Sequence, residues 1–150
     1  CVFSTLVHWA SYLGFAQTYS LGSVGNSPSV YLPEPSRYLR LVLDRVFTGE
    51  RRQLGIGRVI EELAILSPIL ETGRFRTEVE KNEGRTVDDR VLSPSTSLAW
   101  QKLKVRGDVQ LELIADAEQF RLHEGKISPT GADQTTPYSH IILLNSQKVS

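Results

Sequence analysis

The sequence has little of three things that would narrow its class: sulfur, net charge and long apolar runs. Its single cysteine, Cys1, excludes a disulfide within the chain, and methionine is absent from all 150 positions. The 17 basic residues are balanced by 17 acidic ones, so no overall electric field attracts nucleic acid or an anionic membrane. With 40% hydrophobic residues, the composition is typical of a globular domain that holds its core without covalent links.

The absence of methionine also bears on Cys1. A cysteine at the first position can carry a lipid, or it can act as a nucleophile through its own α-amine, but each role needs a processing signal upstream. The sequence contains no such signal. We therefore interpret Cys1 as the first residue of a trimmed, processed or engineered chain.

Charge is missing from the whole N-terminal region, because the first charged residue is Glu34. Apolar residues recur there at helical spacing, at Phe3, Leu6, Val7, Ala10 and Leu13. Polar residues interrupt this run before it reaches the roughly 20 apolar positions of a membrane span, so no transmembrane segment is predicted. We expect a helix buried on several sides, in the core or against another chain, and then a connector with turns over residues 21–36. Residues 1–33, the N-terminal arm, and residues 34–150, the body, are expected to form one compact domain.

The body begins with two helical patterns. The first is expected to start at Ser36 as N-cap and to end before Gly49, with Leu41 among its inward residues. The second lies between residues 54 and 73, and Arg58 is expected to pair with Glu62 one turn further on. Its inward stripe is Ile56, Val59, Ile60, Leu63 and Leu66.

After Gly73 the apolar period changes to alternation, which favours strands. Residues 75–92 are predicted to form a hairpin with its loop at residues 82–84, in which Val79 opposes Val87. A second predicted hairpin pairs residues 98–105 with 109–115 around a loop at 106–108. With later strands, this gives an α+β fold in which N-terminal helices pack on one face of a curved antiparallel sheet of five or six strands.

The register of the second hairpin decides how the acidic stretch that follows is interpreted. It places Lys102 opposite Glu112, so the carboxylates are expected to lie on the solvent face of the sheet. It also places Trp100 opposite Ile114, an apolar pair that needs cover and is a candidate binding patch. The Arg-Gly-Asp triplet at residues 106–108 becomes a hairpin tip, and an adhesion role is the weaker interpretation because three residues recur by chance.

No catalytic, metal or cofactor signature is complete. Asp116 and His123 are the candidate acid–base residues, because a bend in a strand can direct such groups into a cleft. The histidines have no metal-ligand spacing, and no metal site or cofactor is predicted. A group of arginines without lysine is a candidate site for an anionic group, with a solvated helix face as the alternative. Its members in the predicted site are Arg37, Arg40, Arg51 and Arg52.

Two functions are compatible with these patterns. The first is a non-enzymatic assembly or protein-interaction subunit, which binds a protein partner or a second copy through residues 1–33, with no nucleic acid. The second is a small-molecule binding protein or enzyme with a pocket between sheet and helices, to be tested first at Trp100, Asp116 and His123. The order of elements would suit a cone-shaped sheet like the small ligand-binding folds of the nuclear transport factor type, which is an analogy of fold only.

Overall fold

The structure is a computed structural model that describes residues 2–20, 29–84, 88–127 and 133–145. It is an α+β protein with antiparallel sheets, as the sequence predicts. The helices of the described ranges are α1 Val2–Tyr12, α2 Ser36–Val46, α3 Ile56–Leu66, α4 Arg74–Asn82 and α5 Pro94–Val105. The strands are β1 Ala16–Ser20, β2 Ser29–Pro33, β3 Gln53–Gly55, β4 Val109–Glu112, β5 Phe120–Ile127, β6 Asp133–Tyr138 and β7 His140–Leu143.

The described strands form three small sheets, so the prediction of one curved sheet of five or six strands is wrong. β1 pairs with β2, β5 pairs with β6, and β7 lies between β3 and β4. The apolar run at the C-terminal end of the sequence is an interior strand, as expected. Leu111 of β4 stands opposite Ile141 of β7, and both side chains are buried.

The first predicted hairpin is wrong, because its first half is helix α4. Phe75 and Val79 are four residues apart, and this spacing satisfies one face of a helix as well as an alternating strand. An ion pair between Arg76 and Glu80, 2.6 Å apart at one helical turn, supports the helix. The predicted partner Val87 lies outside the described residues.

The second predicted hairpin is also wrong, because residues 94–105 form helix α5. Ser93 caps this helix by accepting a hydrogen bond from the backbone N–H of Thr96, and Pro94 occupies the first turn. β4 is a strand as predicted, but it pairs with β7. Glu112 therefore stands opposite His140 instead of Lys102.

The core lies where α2, α3 and α5 meet the three-stranded sheet. The inward stripe of α3 is confirmed by the burial of Ile56, Val59, Ile60 and Leu63. Arg58 and Glu62 form the predicted ion pair at 2.5 Å. The inward face of α2 is formed by Leu39, Val42, Leu43 and Val46, so the inward placement of Leu41, which is 61% exposed, is wrong. Pro35, and not Ser36, occupies the N-cap position of α2.

Candidate functional site

Helix α1 presents its apolar side chains to solvent. None of its eleven residues, all of which the structure describes, is buried. Val2, Leu6, Trp9 and Leu13 follow one stripe at helical spacing, and Phe3 and Tyr12 flank it. These six residues, termed the arm face, are 50% to 87% exposed. The expectation that this helix is buried in the core of its own domain is therefore wrong, whereas burial against another chain stays a prediction.

The tight turn after α1 packs against the start of α2. Gly14 has φ +84°, and an added Cβ would lie 3.0 Å from the backbone nitrogen of Tyr38. That nitrogen donates to the carbonyl of Gly14, and the ring of Phe15 stacks on Tyr38 with centroids 4.3 Å apart. Glu34 in turn donates its backbone N–H to the carbonyl of Phe15. These contacts fix the end of α1 and leave the arm face exposed.

An apolar cleft of about 420 Å³ separates α1 from the rest of the protein. Phe3, Leu6 and Ala10 line it on the side of α1. Tyr31 and Ile69 line it on the opposite side, and Ile69 is itself 50% exposed. The apolar surface of the arm thus continues into this cleft.

A buried carboxylate holds the arm against α5. The side chain of Glu34 is fully buried; its Oε1 accepts from the backbone N–H of Ser36 and its Oε2 from Lys102 Nζ at 2.9 Å. Lys102 Nζ also donates to the hydroxyl of Tyr19, on β1, at 3.0 Å. Burial by itself would lower the pKa of Lys102, but its hydrogen bonds to Tyr19 and Glu34 and the charge of Glu34 outweigh burial and raise it. Strand β1 and the residue that follows β2 are thereby tied to one charged side chain of α5.

Trp100 and Ile114, predicted to form a surface patch, lie in different environments. Trp100 is 1% exposed, on the inner face of α5, because α5 is a helix and not the strand that would have turned it outward. Ile114 follows β4, is 42% exposed, and donates its backbone N–H to the hydroxyl of Ser139. The predicted patch is not formed by these two residues.

Asp116 and His123 are also placed in different surroundings. Asp116 is exposed in the turn between β4 and β5. His123 is half-buried on β5, where its backbone N–H donates to Ser97 Oγ and its carbonyl accepts from Gln101 Nε2 at 2.6 Å. An acid–base role for these two residues stays a prediction. Within the described ranges, no three His, Cys, Asp or Glu side chains are close enough together to hold a metal ion.

The Arg-Gly-Asp triplet is a turn tied into the fold. The carboxylate of Asp108 is 8% exposed, and its Oδ2 lies 3.6 Å from Nε of Arg40 and 3.4 Å from Nε of Arg106. Its carbonyl accepts from the backbone N–H groups of Leu144 and Asn145. Because Asp108 is buried and held from three directions, the interpretation as a protruding hairpin tip is wrong.

The predicted arginine site is divided between two segments. Arg37 and Arg40 lie on α2, and Arg40 is paired with Asp108. Arg51 and Arg52 are exposed in the segment before β3, where the carbonyl of Arg52 accepts from the backbone N–H of Leu143. An anionic ligand at these residues stays a prediction.

The fold and surfaces together define a small α+β protein with an uncharged, exposed apolar arm. The helices in the described part of the chain are all too short or too polar to span a membrane. A family model described as DpdG-like matches residues 2–117, and the chain belongs to this family. The matched range contains α1 to α5 and β1 to β4. No curated protein and no solved structure matches the chain.

Proposed function

We propose that the chain is a non-enzymatic assembly subunit that associates with a second copy of itself through the arm face. The observation that carries this proposal is the exposure of α1. Val2, Leu6 and Trp9 of this helix, and Leu13 just after it, form a stripe that is at least half exposed at every position. A contiguous apolar surface of this kind is unfavourable in water and is typical of a protein interface.

The size of the arm face agrees with a standard interface. Its six side chains, with their exposed fractions of 50% to 87%, together present about 700 Å² of surface to solvent. Two such faces would bury about 1,400 Å² in total, within the range of stable protein complexes. Trp9 and Tyr12, in edge-to-face contact at 5.8 Å, supply the aromatic anchors common at such interfaces.

The charge of the arm favours a second copy as the partner. A symmetric contact places each residue near its own counterpart, so a charged face would meet charge of the same sign. Residues 1–33 carry no charged side chain, and the chain as a whole has a formal net charge of zero. Association of two arm faces therefore meets no repulsion between charged side chains, and most of the surface removed from water is apolar.

Replacing Leu6 by glutamate tests this proposal. Leu6 is 64% exposed, so the monomer has room for a polar side chain, whereas a buried unpaired carboxylate at the interface is unfavourable. We expect the native chain to sediment as a dimer at micromolar concentration. The Leu6→Glu variant should have a dissociation constant about 100-fold higher.

Leu41→Glu is the matched control, because Leu41 has a similar exposure of 61% but lies on α2 in the body. This variant should dimerise like the native chain. Circular dichroism of both variants should match the native spectrum. A native chain that stays monomeric at high concentration would refute self-association and leave a different protein as the partner of the arm. Equal effects of the two variants would show that the interface lies elsewhere.

A further inference from the structure

A second surface, separate from the arm face, lies along the outer side of α5. Two clefts of about 480 and 450 Å³ adjoin there, because Leu98 and Gln101 line both of them. Leu98, Gln101, Lys102 and Val105 are spaced three and four residues apart, so they follow one face of the helix. The opposite wall is the antiparallel pair β1 and β2, through Gln17 and Leu32. The two clefts, termed the α5 groove, run from Pro94 to Arg106, about 16 to 18 Å along the helix axis.

The two ends of the α5 groove differ in chemistry. At the N-terminal end of α5 the lining is mostly apolar, with Leu32, Pro33, Pro94 and Leu98. At the C-terminal end, Lys102 and Arg106 line the groove, and Gln17 is beside them. A groove that changes from apolar to cationic along its length is complementary to a ligand that is apolar at one end and anionic at the other.

The cationic end keeps donors for a ligand. Lys102 gives two of its three N–H groups to described residues, namely Tyr19 and Glu34. Arg106 approaches Asp108 through Nε, and it shares this carboxylate with Arg40. The guanidinium of Arg106 is half exposed at the rim of the groove. The third ammonium N–H of Lys102 and the guanidinium N–H groups of Arg106 other than Nε could together donate to one carboxylate.

We propose that the α5 groove binds a linear apolar molecule that carries one carboxylate, such as a fatty acid. The apolar chain lies along Pro94 and Leu98, and the carboxylate lies between Lys102 and Arg106. The chain removes the exposed apolar lining from water, and the charged end fixes the direction of binding. This site is independent of the arm face, so it makes no use of the assembly proposed above.

The test is an NMR titration of the isotope-labelled native chain, residues 1–150, in which binding of a probe to the arm face would be seen as shifts in α1. The probes are decanoate and decylammonium, which share an apolar chain and differ in the sign of their charge. Decanoate should shift the amide signals of residues 95–106, with an affinity at least tenfold above that of decylammonium. Equal affinity for the two probes, or shifts confined to α1, would overturn the proposal.

Two substitutions test the cationic end and the apolar end of the groove separately. Arg106→Gln should weaken decanoate binding about tenfold and leave decylammonium unchanged, while Asp108 keeps its partner Arg40 and the fold is preserved. Leu98→Gln should weaken both probes. Arg51→Gln, which changes an exposed arginine outside the groove, is the control and should bind decanoate normally. If Arg106→Gln and Arg51→Gln bind decanoate equally, the assignment of the carboxylate end is refuted.

Discussion

Replacing Trp100 by alanine is expected to lower the free energy of unfolding by about 4 kcal/mol, because it opens a cavity in the core. Trp100 is the largest of the fully buried side chains and lies in the cluster that also includes Leu103 and Ile141. A surface tryptophan would contribute far less. The measurement is urea unfolding followed by circular dichroism. A loss below about 1 kcal/mol would contradict the helical placement of residues 94–105.

Trp100→Phe separates the cavity from the loss of the indole N–H. Nε1 of Trp100 is buried without a hydrogen-bond partner among the described residues. Phenylalanine removes this unpaired donor and keeps most of the apolar volume, so its cost should stay below about 1.5 kcal/mol. A cost equal to that of alanine would mean that the indole nitrogen has a partner in solution.

Replacing Lys102 by methionine is expected to cost about 3 kcal/mol, because it leaves the buried carboxylate of Glu34 without its counter-charge. Lys102 is partly solvent-accessible, so the reverse change, Glu34→Gln, leaves a charge that water can solvate. The loss for Glu34→Gln should therefore be about 1 kcal/mol. Denaturant unfolding of both variants checks this asymmetry. Equal losses would mean that the carboxylate of Glu34 is hydrated and not enclosed.

The contribution of Lys102 should depend on pH in a defined direction. Its pKa is raised in the folded protein, since hydrogen bonds and the charge of Glu34 outweigh the effect of burial. A group with a raised folded pKa stabilises the fold below its unfolded pKa and loses that effect as the pH rises through the folded value. The stability difference between the native chain and Lys102→Met should hold through neutral pH and shrink above about pH 10.5. A difference that grows with alkaline pH would contradict the assigned pair.

The sequence predicted correctly those parts of the fold in which the spacing of apolar residues is compatible with only one type of secondary structure. The stripe of α3 and its Arg58–Glu62 pair have only a helical period, and the run in β7 is too apolar for an exposed strand. Over their short spans, the apolar residues of 75–79 and 98–105 fit both the helical period and the alternating period of a strand. The Ser93-Pro94 start, which caps α5, was the signal that distinguishes the two.

The sites were harder to predict, because they depend on contacts between distant positions. Lys102 meets Glu34 and Tyr19, 68 and 83 residues away, and no local pattern indicates either pair. The exposure of α1 could be inferred only in part, since an uncharged helix suits a core and an interface equally well. The structure excludes the core, because α2, α3 and α5 fill it without α1.

The assembly proposal is tested most directly by contacts between two copies of the arm. In a sample that mixes isotope-labelled and unlabelled native chains, an isotope-filtered NOE experiment selects the NOEs between molecules. We expect such NOEs between Leu6 or Trp9 of one copy and the arm face of the other, at concentrations where the chain sediments as a dimer. A dimer whose intermolecular NOEs come from other surfaces, with the signals of α1 unchanged on dilution, would contradict the assignment of α1 as the interface.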